Sequence, residues 1–166
     1  MQKSISEFNL EKINSYSNII FLCIGTDQIS GDAFGPIVGQ KLKYYTKNMK
    51  NIEVIGGLGK CVVYQNLEKI EEEIYTKYKN PYIVCVDSAL SKSIDVGQIV
   101  VEKGKIKIGS VLGKKIKQVG DMSIKGVVAK NKENYKENYK TLEDVPIDLV
   151  ISMANVVVDK IKNVYL

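Results

Sequence analysis

Three residue types are missing from this chain altogether: its 166 residues include no arginine, no histidine and no tryptophan. Without arginine there is no guanidinium fork to grip a phosphate or carboxylate through paired hydrogen bonds. Without histidine there is no imidazole to act as base for a serine or cysteine nucleophile, and none to ligate a metal. Cysteine is sparse. Cys23, Cys61 and Cys85 stand alone, so there is no Cys-x-x-Cys zinc or redox pattern. Cys23 and Cys85 fall inside apolar runs and read as core residues, the usual place of a free thiol. No apolar run approaches the ~20 residues of a membrane span. The polar, mixed start MQKSISEFNL lacks the character of a signal peptide. These absences set the expectation of a cytoplasmic protein with no membrane partner.

What is present suits a folded domain. The chain is 45% hydrophobic and 26% charged, an ordinary globular balance. Its length fits one domain with a core large enough to need no disulfide or metal. The net charge is +5, with 24 lysines interspersed among acidic residues. That pattern reads as a solvated surface rather than a nucleic-acid stripe. The expected organisation is a single α/β domain over residues 1–166, with a leader segment at 1–18 and a surface insertion at 130–143.

The leader has loosely helical spacing at Ile5, Phe8, Leu10 and Ile13. Ile19 to Ile24 is an unbroken apolar run, the mark of a strand buried on both faces. A polar turn follows, then a helix with Pro36 in its first turn and Ile37, Val38 and Leu42 on its apolar side. Asn51–Ile55 reads as a strand closed by Gly56, Gly57, Leu58 and Gly59. Leu67–Lys79 reads as a helix, with Leu67, Ile70, Ile74 and Tyr78 at spacings of three and four. Pro81–Val86 reads as a buried strand ending at Asp87. Gln98–Glu102 is a further strand, and Ile106–Val111 continues the sheet. Val119–Gly126 has no clear period. Lys130–Lys140 carries Lys-Glu-Asn-Tyr twice and reads as a solvated loop or short helix. Val145 to Ile161 forms an amphipathic closing helix. Strands alternating with helices predict a three-layer α/β/α fold with a mostly parallel central sheet.

In such sheets the chemistry gathers at the carboxyl ends of the strands. Asp32 lies in the loop after the first strand, and Asp87 at the end of the Ile83–Val86 strand. Facing one cleft, two carboxylates can divide a proton, one acting as base and the other as acid. The plainer roles are a helix cap for Asp32 and a turn for Asp87. Asp27 shares the first loop, and Asp121 sits in the aperiodic segment. The glycine-bearing turns match neither GxGxxG nor GxxxxGK[ST]. They permit tight turns or leave room for a substrate backbone.

Three ordered motifs carry a resemblance. Cys23-Ile24-Gly25-Thr26-Asp27 running on to Ser30-Gly31-Asp32-Ala33-Phe34-Gly35-Pro36 resembles the first signature of the YyaC-type sporulation proteins. Val86-Asp87-Ser88-Ala89-Leu90 resembles the second, and Val119-Gly120-Asp121-Met122-Ser123-Ile124-Lys125-Gly126 the third. The resemblance runs from about Ile19 to Val158. That family is similar to the spore germination protease, an atypical aspartic peptidase of small acid-soluble spore proteins, and more distantly to hydrogenase maturation endopeptidases.

The resemblance implies a hydrogenase-maturation-protease-like fold and catalytic roles for Asp32 and Asp87. The maturation enzymes add a histidine that binds nickel. This chain has none, so only the two-aspartate version carries over. The chain is also much shorter than the germination protease. The leading expectation is a cytoplasmic endopeptidase of the forespore, acting on a spore protein or peptide. In it Asp27, Gly56, Gly57, Asp121 and Ser123 contact substrate, and there is no metal or cofactor. Two alternatives stand beside it. One is a non-catalytic sporulation protein that keeps the fold and binds a partner. The other is a hydrolase holding a hard cation on Asp27, Asp32 and Asp87.

Overall fold

The computed structural model describes residues 3–5, 13 and 15–165. Its centre is a six-stranded sheet built around β2 (Ile19–Cys23), whose five residues are all buried. The other strands are β1 (Lys3–Ser4), β3 (Ile52–Ile55), β4 (Tyr82–Ser91), β5 (Ile99–Lys103) and β8 (Met122–Lys130). They lie in the order β1-β5-β8-β4-β2-β3. The β3, β2, β4 and β8 strands run parallel, while β5 and β1 add to β8 antiparallel. The sheet is therefore mixed, with its parallel half around β2.

Side chains alternate across a strand, so β2 feeds two cores at once. Phe21 and Cys23 face α1 (Phe34–Thr46) and α4 (Ile147–Tyr165), meeting Phe34, Val38, Val150 and Val157. Ile20 and Leu22 face the opposite layer, meeting Leu67 and Ile74 of α2 (Leu67–Lys77). That layer is completed by a hairpin of β6 (Ile106–Ile108) and β7 (Lys117–Val119). The three-layer α/β/α architecture matches the expectation. Pro36 sits in the first turn of α1, where its missing N–H costs nothing. Cys23 and Cys85 are fully buried, one in each core. Among the described residues no helix is long and apolar enough to cross a membrane.

Three expectations require correction, and two open readings are resolved. Lys3–Ser4 pairs with Val101 and Val100 as a strand instead of opening a helix; most of the remaining leader lies outside the described residues. β4 does not stop at Asp87 but runs to Ser91, because β8 pairs with it that far. The aperiodic segment supplies β8, buried on both faces between β4 and β5, which is why no period of two is visible in it. Ile106–Ile108 leaves the main sheet for the separate hairpin. Of the two readings of the 130–143 segment, the short helix is found: α3 (Tyr135–Glu143), capped by the Asn134 side chain on the Lys136 and Glu137 N–H groups. It is docked as well as solvated. Leu142 and Asn138 are buried, and the Asn138 amide donates to Val111 O at 3.0 Å.

Candidate active site

β2 is shorter than β4 at its carboxyl end, and this difference creates the site. Pairing ends at Cys23 with Val86, and a last bond runs from Ile24 N–H to Val86 O at 2.7 Å. Gly25 then swings the chain away with a φ of +135°, a conformation that side-chain-bearing residues rarely adopt. A Cβ at Gly25 would lie 2.1 Å from Asp32 O, so only glycine lets the Ser30–Asp32 turn fold back over the strand end. This fold-back brings Asp32 beside β4.

Asp32 and Asp87 line one cleft of about 240 Å³. Asp32 Oδ2 accepts from Thr26 N–H at 2.9 Å, and its Oδ1 accepts from the Ser88 hydroxyl at 3.3 Å. Asp87 Oδ1 accepts from Ser88 N–H at 2.9 Å. Ser88 thus ties the two carboxylates together. Burial raises the Asp32 carboxyl to about 6, against the pull of the Thr26 and Ser88 hydrogen bonds and of nearby Lys114. Burial pushes Asp87 well above the usual carboxylate range, and the neighbouring Asp32 charge adds to it. The Ser88 N–H and Lys125 oppose this only in part. The two acids are therefore set apart, Asp32 the readier to ionise and Asp87 the readier to keep a proton.

The remaining walls are apolar. Leu142 and Tyr139 come from α3, Val111 and Leu112 from the Ser110–Leu112 turn, and Ile29 from the first loop. Lys114 is the lining cation. Tyr64 forms part of the wall and is pinned by its hydroxyl donating to Lys115 O at 2.6 Å, with Lys117 Nζ 4.0 Å above its ring.

The other candidates separate from this cleft. Asp27 follows Thr26 but does not line the cleft; it is engaged elsewhere, accepting from Gly59 N–H at 2.7 Å and Gln28 Nε2 at 3.0 Å. Those bonds hold its carboxyl below the ordinary range. Gly56 and Gly57 do not line the cleft. Gly56, at φ +96°, packs so closely on β2 that a Cβ would lie 2.1 Å from Cys23 O; one on Gly57 would meet Lys43 Nζ at 3.1 Å. Asp121 is at the opposite end of the sheet, accepting from Ile83 N–H at 2.8 Å beside Tyr16 and Tyr82. Ser123 is 2% exposed, on β8 opposite Cys85. Among the described residues no group of three or more His, Cys, Asp or Glu side chains is placed to hold a metal ion. Ser88 lies inside a motif that the sequence made visible, whereas Lys114 comes from a lysine-rich turn with no signal of its own.

The fold is that of the hydrogenase maturation proteases. The [NiFe] hydrogenase maturation protease HycI from Thermococcus kodakarensis KOD1 superposes with a TM-score of 0.64 at 17% identity, over 93% of this chain and 97% of that one. HybD, the [NiFe] hydrogenase maturation protease from Thermococcus kodakarensis, gives a TM-score of 0.50 at 14% identity over 90% and 99%. The chain belongs to the family described as "Protein of unknown function (DUF1256)", whose family model matches residues 1–160. It is 35% identical over 141 residues to the uncharacterized protein YyaC of Bacillus subtilis (strain 168), a match covering 85% of this chain. The same match spans 66% of the length of YyaC, a little under two thirds.

Proposed function

We propose that this protein is an endopeptidase in which Asp32 and Asp87 activate water against a peptide bond. The observation that supports this reading best is the meeting of two half-buried carboxylates, bridged by Ser88, in one cleft at the carboxyl ends of parallel strands. Ionised Asp32 takes a proton from the attacking water. Protonated Asp87 donates to the carbonyl oxygen; as the tetrahedral intermediate collapses, Asp32 passes the proton it took from water to the leaving nitrogen and Asp87 recovers its proton from the re-forming carbonyl. The order of duties follows from their surroundings, since Thr26 N–H and the Ser88 hydroxyl stabilise a negative Asp32. Lys114, at the rim, adds positive charge close to where the oxyanion develops. The resemblance to sporulation proteins points to a protein of the developing forespore as substrate, with small acid-soluble spore proteins first to be tried.

Incubation with those proteins, followed by mass spectrometry, tests the reading. Wild-type protein is expected to yield discrete fragments. Asp32→Asn and Asp87→Asn are expected to fold normally and lose cleavage by ~10²-fold or more, as when a general acid or base is removed. Fragments released equally by either variant would refute the assignment. Substrate that is retained but left intact by wild type would favour a partner-binding protein that keeps the fold.

A further inference from the structure

The step between the ends of β2 and β4 leaves more than a space for side chains. In an extended strand, successive residues turn their N–H and C=O groups to opposite sides. Val86 O accepts from Ile24 N–H, so Val86 faces β2. Ser91 O accepts from Asn131 N–H, so Ser91 faces the β8 side. Parity then places the backbone groups of Ser88 and Leu90 on the side of β2, beyond the point where β2 has ended. Among the described residues no strand occupies that side, because Gly25 N–H has already turned to Val62 O. Ser88 N–H is committed to Asp87 Oδ1. What faces the cleft is the acceptor Ser88 O, then the donor Leu90 N–H and, at the far end, the acceptor Leu90 O.

We infer that the substrate of this site is an extended, unpaired polypeptide segment that docks as a strand on the free edge of β4, parallel to it, in the lane vacated by β2. A carbonyl followed two residues later by an N–H is the pattern that one residue of a parallel neighbour satisfies with its own N–H and C=O. Antiparallel pairing at Ser88 would need the N–H that Asp87 holds. The lane passes directly beside both carboxylates, so docking by backbone presents a peptide group to them. It is lined by Ile29, Val111, Leu112 and Leu142, which fits aliphatic side chains on the docked segment. This is recognition by strand addition, in which the main chain supplies affinity and pockets supply preference. A strand inside a folded sheet, already paired on both sides, cannot enter. The inference deepens the peptidase reading and relies on it for the chemistry, though not for the binding.

The test uses the full chain carrying Asp32→Asn, which binds without turnover, and follows backbone amide exchange residue by residue by NMR. The probe is reduced, carboxymethylated ribonuclease A, an unfolded chain, compared with the same protein with its disulfides intact. Leu90 exchange is expected to slow by about tenfold or more with the unfolded probe at millimolar concentration and to stay unchanged with the folded one. Ala89, whose N–H faces β8, serves as the internal control. Unchanged Leu90 exchange, or equal slowing along the outer edge strand β3, would overturn strand docking. The outcomes also separate the two ideas. Cleavage of the unfolded probe by wild type with Leu90 unaffected would keep the peptidase and reject the docking. Protection of Leu90 with no cleavage of this probe or of spore proteins would keep the docking and reject the peptidase.

Discussion

Asp32 and Asp87 are chemically the same group, and their surroundings hold their protons differently. Because Asp32 is raised to about 6 and Asp87 well above the carboxylate range, the proposed mechanism works through the singly protonated pair. Cleavage is expected to rise as pH passes through about 6 and to fall where Asp87 ionises, giving a bell in log kcat/KM. The Ser88 hydroxyl favours ionised Asp32, so Ser88→Ala is expected to move the acidic limb to higher pH. A pH–rate profile that does not move would remove Ser88 from the pair. The same raised values set the pH dependence of stability. The folded state binds protons that the unfolded chain has released, so stability is full below the unfolded carboxylate range and is lost as pH rises through the folded values. Asp87→Asn removes that loss. Its thermal midpoint at pH 8 is expected to exceed that of wild type by roughly 3 °C, the equivalent of about 1 kcal/mol in a chain this size. Thermal melts at pH 4 and pH 8 check the sign, since the gain should vanish at pH 4.

At the scale of elements, what could be read from the sequence was whatever leaves a periodic or punctuated trace. The β2 run, the α1 helix with its early proline, α2 and α4 all lie within a few residues of their expected bounds. β8 was illegible because a strand buried on both faces has no alternation, and its serine and lysine break the apolar run. The extension of β4 through Asp87-Ser88-Ala89 was hidden for a related reason. Polar residues look like a turn unless one knows that a neighbour pairs with them. The two catalytic candidates were legible as ends of strands; the α3 segment was left between loop and short helix, and its docking against the cleft was not legible, since only Asn138 and Leu142 of it are buried. Gly56 illustrates a misread signal. The glycine cluster suggested room for substrate, whereas Gly56 lets β3 close on β2. Gly56→Ala is expected to cost about 2 kcal/mol or more, from backbone clash and its positive φ, seen as a lower urea midpoint. A variant of wild-type stability would return Gly56 to the list of substrate contacts.

The whole molecule is held without cross-links. Its three thiols are free, two buried in opposite cores and Cys61 half-buried near the cleft mouth. Burial pushes the Cys23 thiol up to about 12 and Cys85 well above its ordinary range. Iodoacetamide is therefore expected to label Cys61 alone in the native protein and all three thiols in denaturant, which intact-mass measurement counts directly. Rapid native labelling of a second thiol would mean that the sheet opens locally. The step at the end of β2 also has a bearing on how such a peptidase survives its own company. A lane that takes an extended chain unpaired on both sides would find little purchase on a neighbouring copy, whose inner strands are paired on both sides and whose edge strands are held within the sheet. Copies that lose their fold become admissible. If the proposed peptidase activity holds, a concentrated population would spare its intact copies from autolysis and clear its own unfolded fraction.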